Sequence, residues 1–123
     1  MVIVIDNFAL LAGSADFFLP ALAVGAVGVV PGLGNVAPRA CVEIQRLFES
    51  GKLEAATQLQ QQLVEPDDAL ARWYGNPGVK AGMNRVLGWG GLPRCPLRPP
   101  SNDQIDRIVQ AVDNALSIEK TLA

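Results

Sequence analysis

The chain has 123 residues, half of them hydrophobic, which is enough for one small domain with a core and too few for two. Its 10 Lys and Arg against 12 Asp and Glu leave a net charge of −2, which argues against a nucleic-acid partner, and no run of like charge marks an anionic membrane surface or a disordered tail. There is no histidine, so Ser-His-Asp and Cys-His nucleophile chemistry and most zinc sites are excluded, while Cys41 and Cys95 form no CxxC pair and read as free, buried thiols in a reducing compartment.

The chain opens MVIVIDNFALLAGS and enters a strand pattern within two residues. It has no basic leader, and Asp6 interrupts the apolar run, so it does not read as a secretory signal. A strand is predicted over about residues 7–12, ending in the small residues Ala12, Gly13 and Ser14.

The next stretch, FFLPALAVGAVGVVPGLGNVAP at residues 17–38, carries no charge and is about long enough to cross a bilayer. Two prolines and four glycines, from Pro20 to Gly34, break it as a membrane helix. GVVPGLGNVA has the order strand, G-x-G-x-x-A, helix of a dinucleotide-binding turn. That fold needs a second strand after the helix with an acid at its end, and SGKLEAATQLQQQLVEP supplies helical spacing instead. The reading that fits is a helix over about 16–24 stopped at Gly25, then a strand over about 26–30 with no polar alternation, so buried on both faces. Strand, helix and strand make a βαβ unit with parallel strands.

Beyond GLGNVAP the pattern is helical. ACVEIQRLFESG sets Cys41, Ile44, Leu47 and Phe48 on one face, with Gly51 as C-cap. The next helix carries Leu53, Ala56, Leu59 and Leu63, then Leu70 and Trp73, with Pro66 expected to kink or interrupt it. Asp67 and Asp68 after that proline read as caps of a new helix N-terminus. NPGVKAGMNRVLGWGG starts with an early proline, ends in glycines, and should turn Val79, Met83, Val86 and Leu87 inward. GLPRCPLRPP, with its four prolines, is irregular. SNDQIDRIVQAVDNALS opens with a capping box, Ser101 and Gln104, and buries Ile105, Ile108, Val109, Val112 and Leu116. Trp73, Tyr74 and Trp89 read as helix packing.

Two parallel strands are too few for a self-contained sheet, so the chain reads as a piece of a larger α/β protein or as one that associates to complete itself.

FALLAGSADFFLPALAVGAVGVVPGLGNVAP resembles the seventh strand, seventh helix and eighth strand of the dihydrodipicolinate synthase and N-acetylneuraminate lyase family. The later LVEPDDALARWYGNPGVKAGMNRVLGWGGLPRCPL is most similar to its 4-hydroxy-2-oxoglutarate aldolase branch, by the spacing of GNPGVKAGM and the tail GGLPRCPL. The resemblance runs over roughly residues 7–115. It implies the C-terminal part of a (β/α)₈ barrel: residues 1–50 as the last two strands and their helices, residues 51–123 as a C-terminal helical segment. It implies a Schiff-base aldolase that cleaves a carbon–carbon bond to give pyruvate, with no metal or organic cofactor. The full-length form would be a homo-oligomer without nucleic-acid or membrane partners, cytoplasmic or mitochondrial.

By the same resemblance, the imine-forming lysine lies on the sixth strand and the proton-relay tyrosine on the fifth, both upstream of Met1, so the chain alone is expected to be inactive. Lys80 is the one lysine in an apolar setting, with Arg85 in helical reach; it reads as a solvated helix face rather than a nucleophile. The substrate-contact candidates sit at strand ends: Gly13, a small residue beside the substrate; Ser14, a hydroxyl for a substrate carboxylate or hydroxyl; and Val30, whose backbone carbonyl lies near the imine. Asn35 orders the loop that follows. The alternative is a non-catalytic module that associates with a partner or with itself through exposed barrel edges.

Overall fold

The computed structural model of the chain describes residues 8–123. The opening MVIVID run and the predicted start of the first strand at residue 7 lie outside the described residues. Strand β1 (Leu11–Ala12) leads to helix α1 (Phe18–Ala23) and strand β2 (Gly28–Val29). The strands are parallel, with Leu11 opposite Gly28 and Ala12 opposite Val29. Backbone bonds from Val27 N–H to the Leu10 carbonyl and from Val30 N–H to the Ala12 carbonyl extend the ladder by a step at each end. In α1, Pro20 falls in the first turn, where N–H groups have no helical partner, so it costs no bond. Gly25, at φ 104°, stops the helix as expected.

A 3₁₀ turn (Leu33–Asn35) follows β2, and four longer helices complete the chain: α2 (Pro38–Glu49), α3 (Leu53–Asp67), α4 (Asn76–Leu87) and α5 (Asn102–Thr121). Helix α2 ends in a Schellman motif. Gly51, at φ 72°, donates to the Phe48 carbonyl, and Lys52 donates to Leu47. Helix α5 begins with the predicted capping box: Ser101 Oγ accepts from Gln104 N–H, and the Gln104 side chain accepts from Ser101 N–H.

Pro66 does not break α3. The helix runs through it and widens into a π-helical turn over Asp68–Arg72. Proline has no N–H for the Gln62 carbonyl and its ring crowds that turn, so the backbone spreads locally rather than stopping. The π turn brings Leu70, wholly buried, against α4. Gly78 and Gly82 make that approach possible: a Cβ at Gly82 would lie 2.4 Å from Leu70 Cδ1, and one at Gly78 would lie 2.8 Å from the Leu70 carbonyl oxygen. The buried face of α4 is therefore Pro77, Gly78, Ala81, Gly82 and Met83, while Leu87 faces outward, 41% exposed. Of the inward face expected for α4, Met83 is buried and Val79 and Val86 pack on the core, and only Leu87 turns out; what the expectation lacked is the closer glycine contact beside them.

One apolar cluster runs through the whole chain, from Phe18, Leu33 and Ile44 to Leu63, Leu70, Ile108 and Val112. Helix α3 lies at its centre, packed on α2 and α5. The strands are not buried on both faces as their composition predicts. Ala12 and Gly28 are buried, but Leu10, Leu11, Val27 and Val30 are each at least half exposed. The exposed side chains fall on both faces of the ladder, Leu10 and Val27 on one and Leu11 and Val30 on the other, so its apolar sequence is written for a cover that the described residues do not complete. Among the described residues, no helix is long and apolar enough to cross a membrane.

Candidate functional site

One step beyond the Ala12–Val29 pair come Gly13 and Val30, so the first and last of the predicted contact residues lie at the same end of the ladder. Gly13 is exposed, and a Cβ added there would meet nothing within 4 Å. Among the described residues no neighbour requires glycine at this position. The Val30 side chain is 67% exposed, and its N–H is spent on the Ala12 carbonyl. Asn35 orders the following loop as predicted, its Nδ2 donating to the Gly32 carbonyl at 3.0 Å.

Ser14 is not free. Its hydroxyl donates to Oδ2 of Asp67, a residue of α3 that is fully buried. The same oxygen accepts from Ala15 N–H at 2.9 Å and Asp16 N–H at 3.2 Å, and Oδ1 accepts from Leu33 N–H at 3.2 Å. Asp67 therefore caps no new helix. It joins the segment after β1 to the turn after β2, with one hydroxyl and three backbone donors on one carboxylate. Gln60, two turns earlier on α3, completes the hold: its Oε1 accepts from Leu19 N–H at 2.8 Å, and its Nε2 donates to the carbonyls of Ala15 at 2.8 Å and Asp16 at 3.0 Å. These bonds satisfy backbone groups that the strand has left and the helix has not yet taken up.

At the rim, Asp16 Oδ2 accepts from Arg72 of the π turn, and Arg72 Nε also lies 3.1 Å from Asp68 Oδ1. The second pair is an ion contact rather than an aligned hydrogen bond, since Asp68 Oδ1 has no hydrogen-bond partner among the described residues. Asp68 thus pairs within its own turn and, like Asp67, caps no helix.

Glu119 on α5 is the second buried acid. It accepts from Ala40 N–H at 2.9 Å and from Arg39 at 3.3 Å, so it caps the N-terminus of α2, which has no side-chain cap of its own. Cys41, one residue on, is buried. Burial first, then the negative charges of Asp67 and Glu119, push its thiol up from 9.0 to about 12. Cys95 is exposed, contrary to expectation, because the proline-rich segment around it offers no helix face to bury it. Both thiols are free.

Lys80 is not a solvated helix face. It is half-buried, and its Nζ donates to the Gly90 carbonyl at 2.7 Å. With Asn84, which exchanges two bonds of 2.9 Å with Gly91, it pins the loop after α4. Tyr74 packs on the core, whereas Trp73 is 39% exposed under Arg107, and Trp89 is 62% exposed on the loop. None of the three lysines lies on β1 or β2. Among the described residues no cluster of His, Cys, Asp or Glu could hold a metal ion.

Asp67 and Gln60 are the site residues that the sequence reading missed. The signal was available: residues 56, 60, 63, 67 and 70 form one inward stripe of α3 and its extension, and two of the five are polar. A polar residue on a core stripe needs a buried partner, and here the partners are the strand-end loops.

Residues 2–116 match the family described as "Dihydrodipicolinate synthetase family". The chain is 34% identical over 116 residues to the "Probable 4-hydroxy-2-oxoglutarate aldolase, mitochondrial" of Emericella nidulans, covering 94% of this chain and 37% of that protein. It is 34% identical over 110 residues to the L-threo-3-deoxy-hexylosonate aldolase of Aspergillus niger, covering 89% and 32%. The fold superposes on the crystal structure of a dihydrodipicolinate synthase from Bacillus anthracis with a TM-score of 0.77 and 32% identity, over 89% of this chain and 37% of that one. The chain thus spans well under half the length of each protein it matches.

Proposed function

This chain belongs to the dihydrodipicolinate synthetase family, and from that premise we propose that it forms the C-terminal third of a pyruvate-dependent Schiff-base aldolase acting on a hydroxylated 2-oxo acid. Its two parallel strands and helices match the C-terminal part of the family's barrel. In this reading residues 1–50 close the barrel and residues 51–123 form a helical segment packed behind it.

The observation that carries the proposal is the unfinished ladder. Among the described residues the ladder has two parallel strands, and Leu10, Leu11, Val27 and Val30 are each at least half exposed on its two faces, where a closed barrel would bring further strands and side chains. Gly13, Ser14 and Val30 then stand at the mouth, at the strand ends where barrel enzymes bind substrate. An aldolase of this kind needs an amine to convert the substrate carbonyl into an electron sink. Lys52, Lys80 and Lys120 all lie on or beside helices, and the Lys80 amine is engaged on the Gly90 carbonyl. The imine lysine is therefore supplied by strands that pair with β1, and these residues contribute the mouth and its support. The assembled enzyme is a homo-oligomer that uses no metal.

Borohydride reduction in the presence of radiolabelled pyruvate tests this. The 123-residue chain should take up no label. Joined behind the first six strands of a family member, it should restore labelling of the strand-six lysine. Label on Lys52, Lys80 or Lys120, or no label in the joined protein, overturns the proposal.

The same exposed surface supports a second reading, a module that associates through its edges without catalysis. Light scattering on the isolated chain separates them from a third outcome: a stable monomer would remove the association reading.

A further inference from the structure

We propose that Asp67 is a positioning residue of the barrel mouth that fixes Ser14 as a hydrogen-bond acceptor, so that the ligand group seated beside Ser14 is a hydroxyl and not a carboxylate. The proposal rests on the reading of Gly13, Ser14 and Val30 as substrate contacts and goes beyond it by assigning the polarity of one of them.

The argument begins with the inventory of a serine hydroxyl: one proton to give and two lone pairs to receive. A carboxylate has no proton to give. Between Ser14 Oγ and Asp67 Oδ2 the shared proton therefore comes from the serine, and that bond uses its entire donor capacity. The arrangement is held in place. Asp67 is wholly buried, and two backbone N–H groups besides the serine hydroxyl converge on the same oxygen, with Leu33 N–H on the other. Rotating the carboxylate to free Ser14 would strand these donors. Ser14 itself is half-buried, at the end of the segment that leaves β1, so part of it still meets solvent.

What Ser14 presents there is lone pairs only. A substrate carboxylate placed beside it would find no donor and would face the charge of Asp67 just behind. A substrate hydroxyl would find an acceptor sharpened by the charge-assisted bond on its far side. Asp67 also ties the segment after β1 to the turn after β2, so one group sets both the orientation of Ser14 and its distance from Val30.

The test uses the assembled aldolase, this chain joined to upstream strands with the imine lysine, and inhibitor pairs that differ by one hydroxyl: 4-hydroxy-2-oxoglutarate against 2-oxoglutarate, and 4-hydroxy-2-oxobutyrate against 2-oxobutyrate. The unsubstituted protein should bind the hydroxylated member of each pair about tenfold more tightly, the worth of one good hydrogen bond. Ser14→Ala keeps the three backbone donors on Asp67 and should abolish the preference. Asp67→Ala removes the acceptor and releases the serine proton, so the preference should vanish or reverse; a merely structural role would weaken both members alike. A preference unchanged in either variant, or absent in the unsubstituted protein, overturns the proposal. Failure to trap pyruvate in the unsubstituted assembly would instead count against the aldolase reading. Amide exchange on the 123-residue chain then decides the clamp alone. The Ala15 and Leu33 amides should exchange at least tenfold faster in Asp67→Ala, and equal rates would overturn it.

Discussion

Two acids are buried in this chain, and they do different work. Asp67, with no exposure, gathers one hydroxyl and three N–H groups from two separate loops at the ladder's end. Glu119, 9% exposed, takes one N–H and one arginine at the start of a single helix. Both side chains come from the helical segment and serve backbone in the strand-bearing half. The difference is that Glu119 replaces one missing local cap, whereas Asp67 holds four donors drawn from two loops far apart in the chain. Helix α3 is thus more than a cover for the strands: it supplies the polar groups that hold the two loops at the ladder's end.

The comparison breaks most sharply at Asp67→Ala. Removing the carboxylate strands the buried N–H groups of Ala15 and Leu33 and leaves a void, and should cost about 3–5 kcal/mol in urea unfolding. A loss below about 1 kcal/mol would mean that the loops hold themselves. Gly82→Ala reaches the same region from behind. The new methyl would sit 2.4 Å from Leu70 Cδ1, one turn past Asp67, and Leu70 is fully buried with little room to retreat. Overpacking should cost about 1–3 kcal/mol, lessened by the better helix propensity of alanine, read from the same unfolding curves. Glu119→Gln keeps an acceptor for Ala40 N–H and loses only the charge at the helix end, so about 1 kcal/mol or less is expected. The order Asp67, Gly82, Glu119 is the content of the comparison, and a larger loss at Glu119 than at Asp67 would reverse it.

Much of this architecture was legible because it is local. The capping box at Ser101, the Gly25 stop, the Gly51 C-cap and the parallel strand–helix–strand order each follow from residues a few positions apart. The βαβ reading of an uncharged stretch held because prolines and glycines rule out the membrane helix that its hydrophobicity suggests. What failed to show was non-local or depended on missing cover. Asp67 looked like a cap because proline before an acid is a common helix start; its partners lie about 50 residues upstream. The glycine contact of α4 was hidden because glycine leaves no mark in an apolar pattern. Cys95 was assigned to the interior by residue type, although its proline-rich neighbourhood has no inward face. The strands were read as buried on both faces, and the described residues complete neither cover.

Cys41 lies under the influence of both acids and gives the finest measure of their inequality. Its thiol is pushed up from 9.0 to about 12, by burial first, then by Asp67, then by Glu119. Below pH 9 the thiol keeps its proton in the folded and the unfolded chain alike, and contributes nothing to the pH dependence. As pH rises from 9 toward 12 the unfolded chain loses that proton while the folded chain retains it, so stability falls, by up to about 1.4 kcal/mol per pH unit. Cys41→Ala should flatten the fall, measured as urea midpoints across that range. Near neutral pH a thiol reagent should modify exposed Cys95 rapidly and leave Cys41 untouched. Asp67→Asn should bring the Cys41 titration down further than Glu119→Gln, because the Asp67 charge is the stronger of the two influences on it. Equal shifts in the two variants would mean that the carboxylates act on the α2 end alike, and that the contrast between them lies in their hydrogen bonds alone.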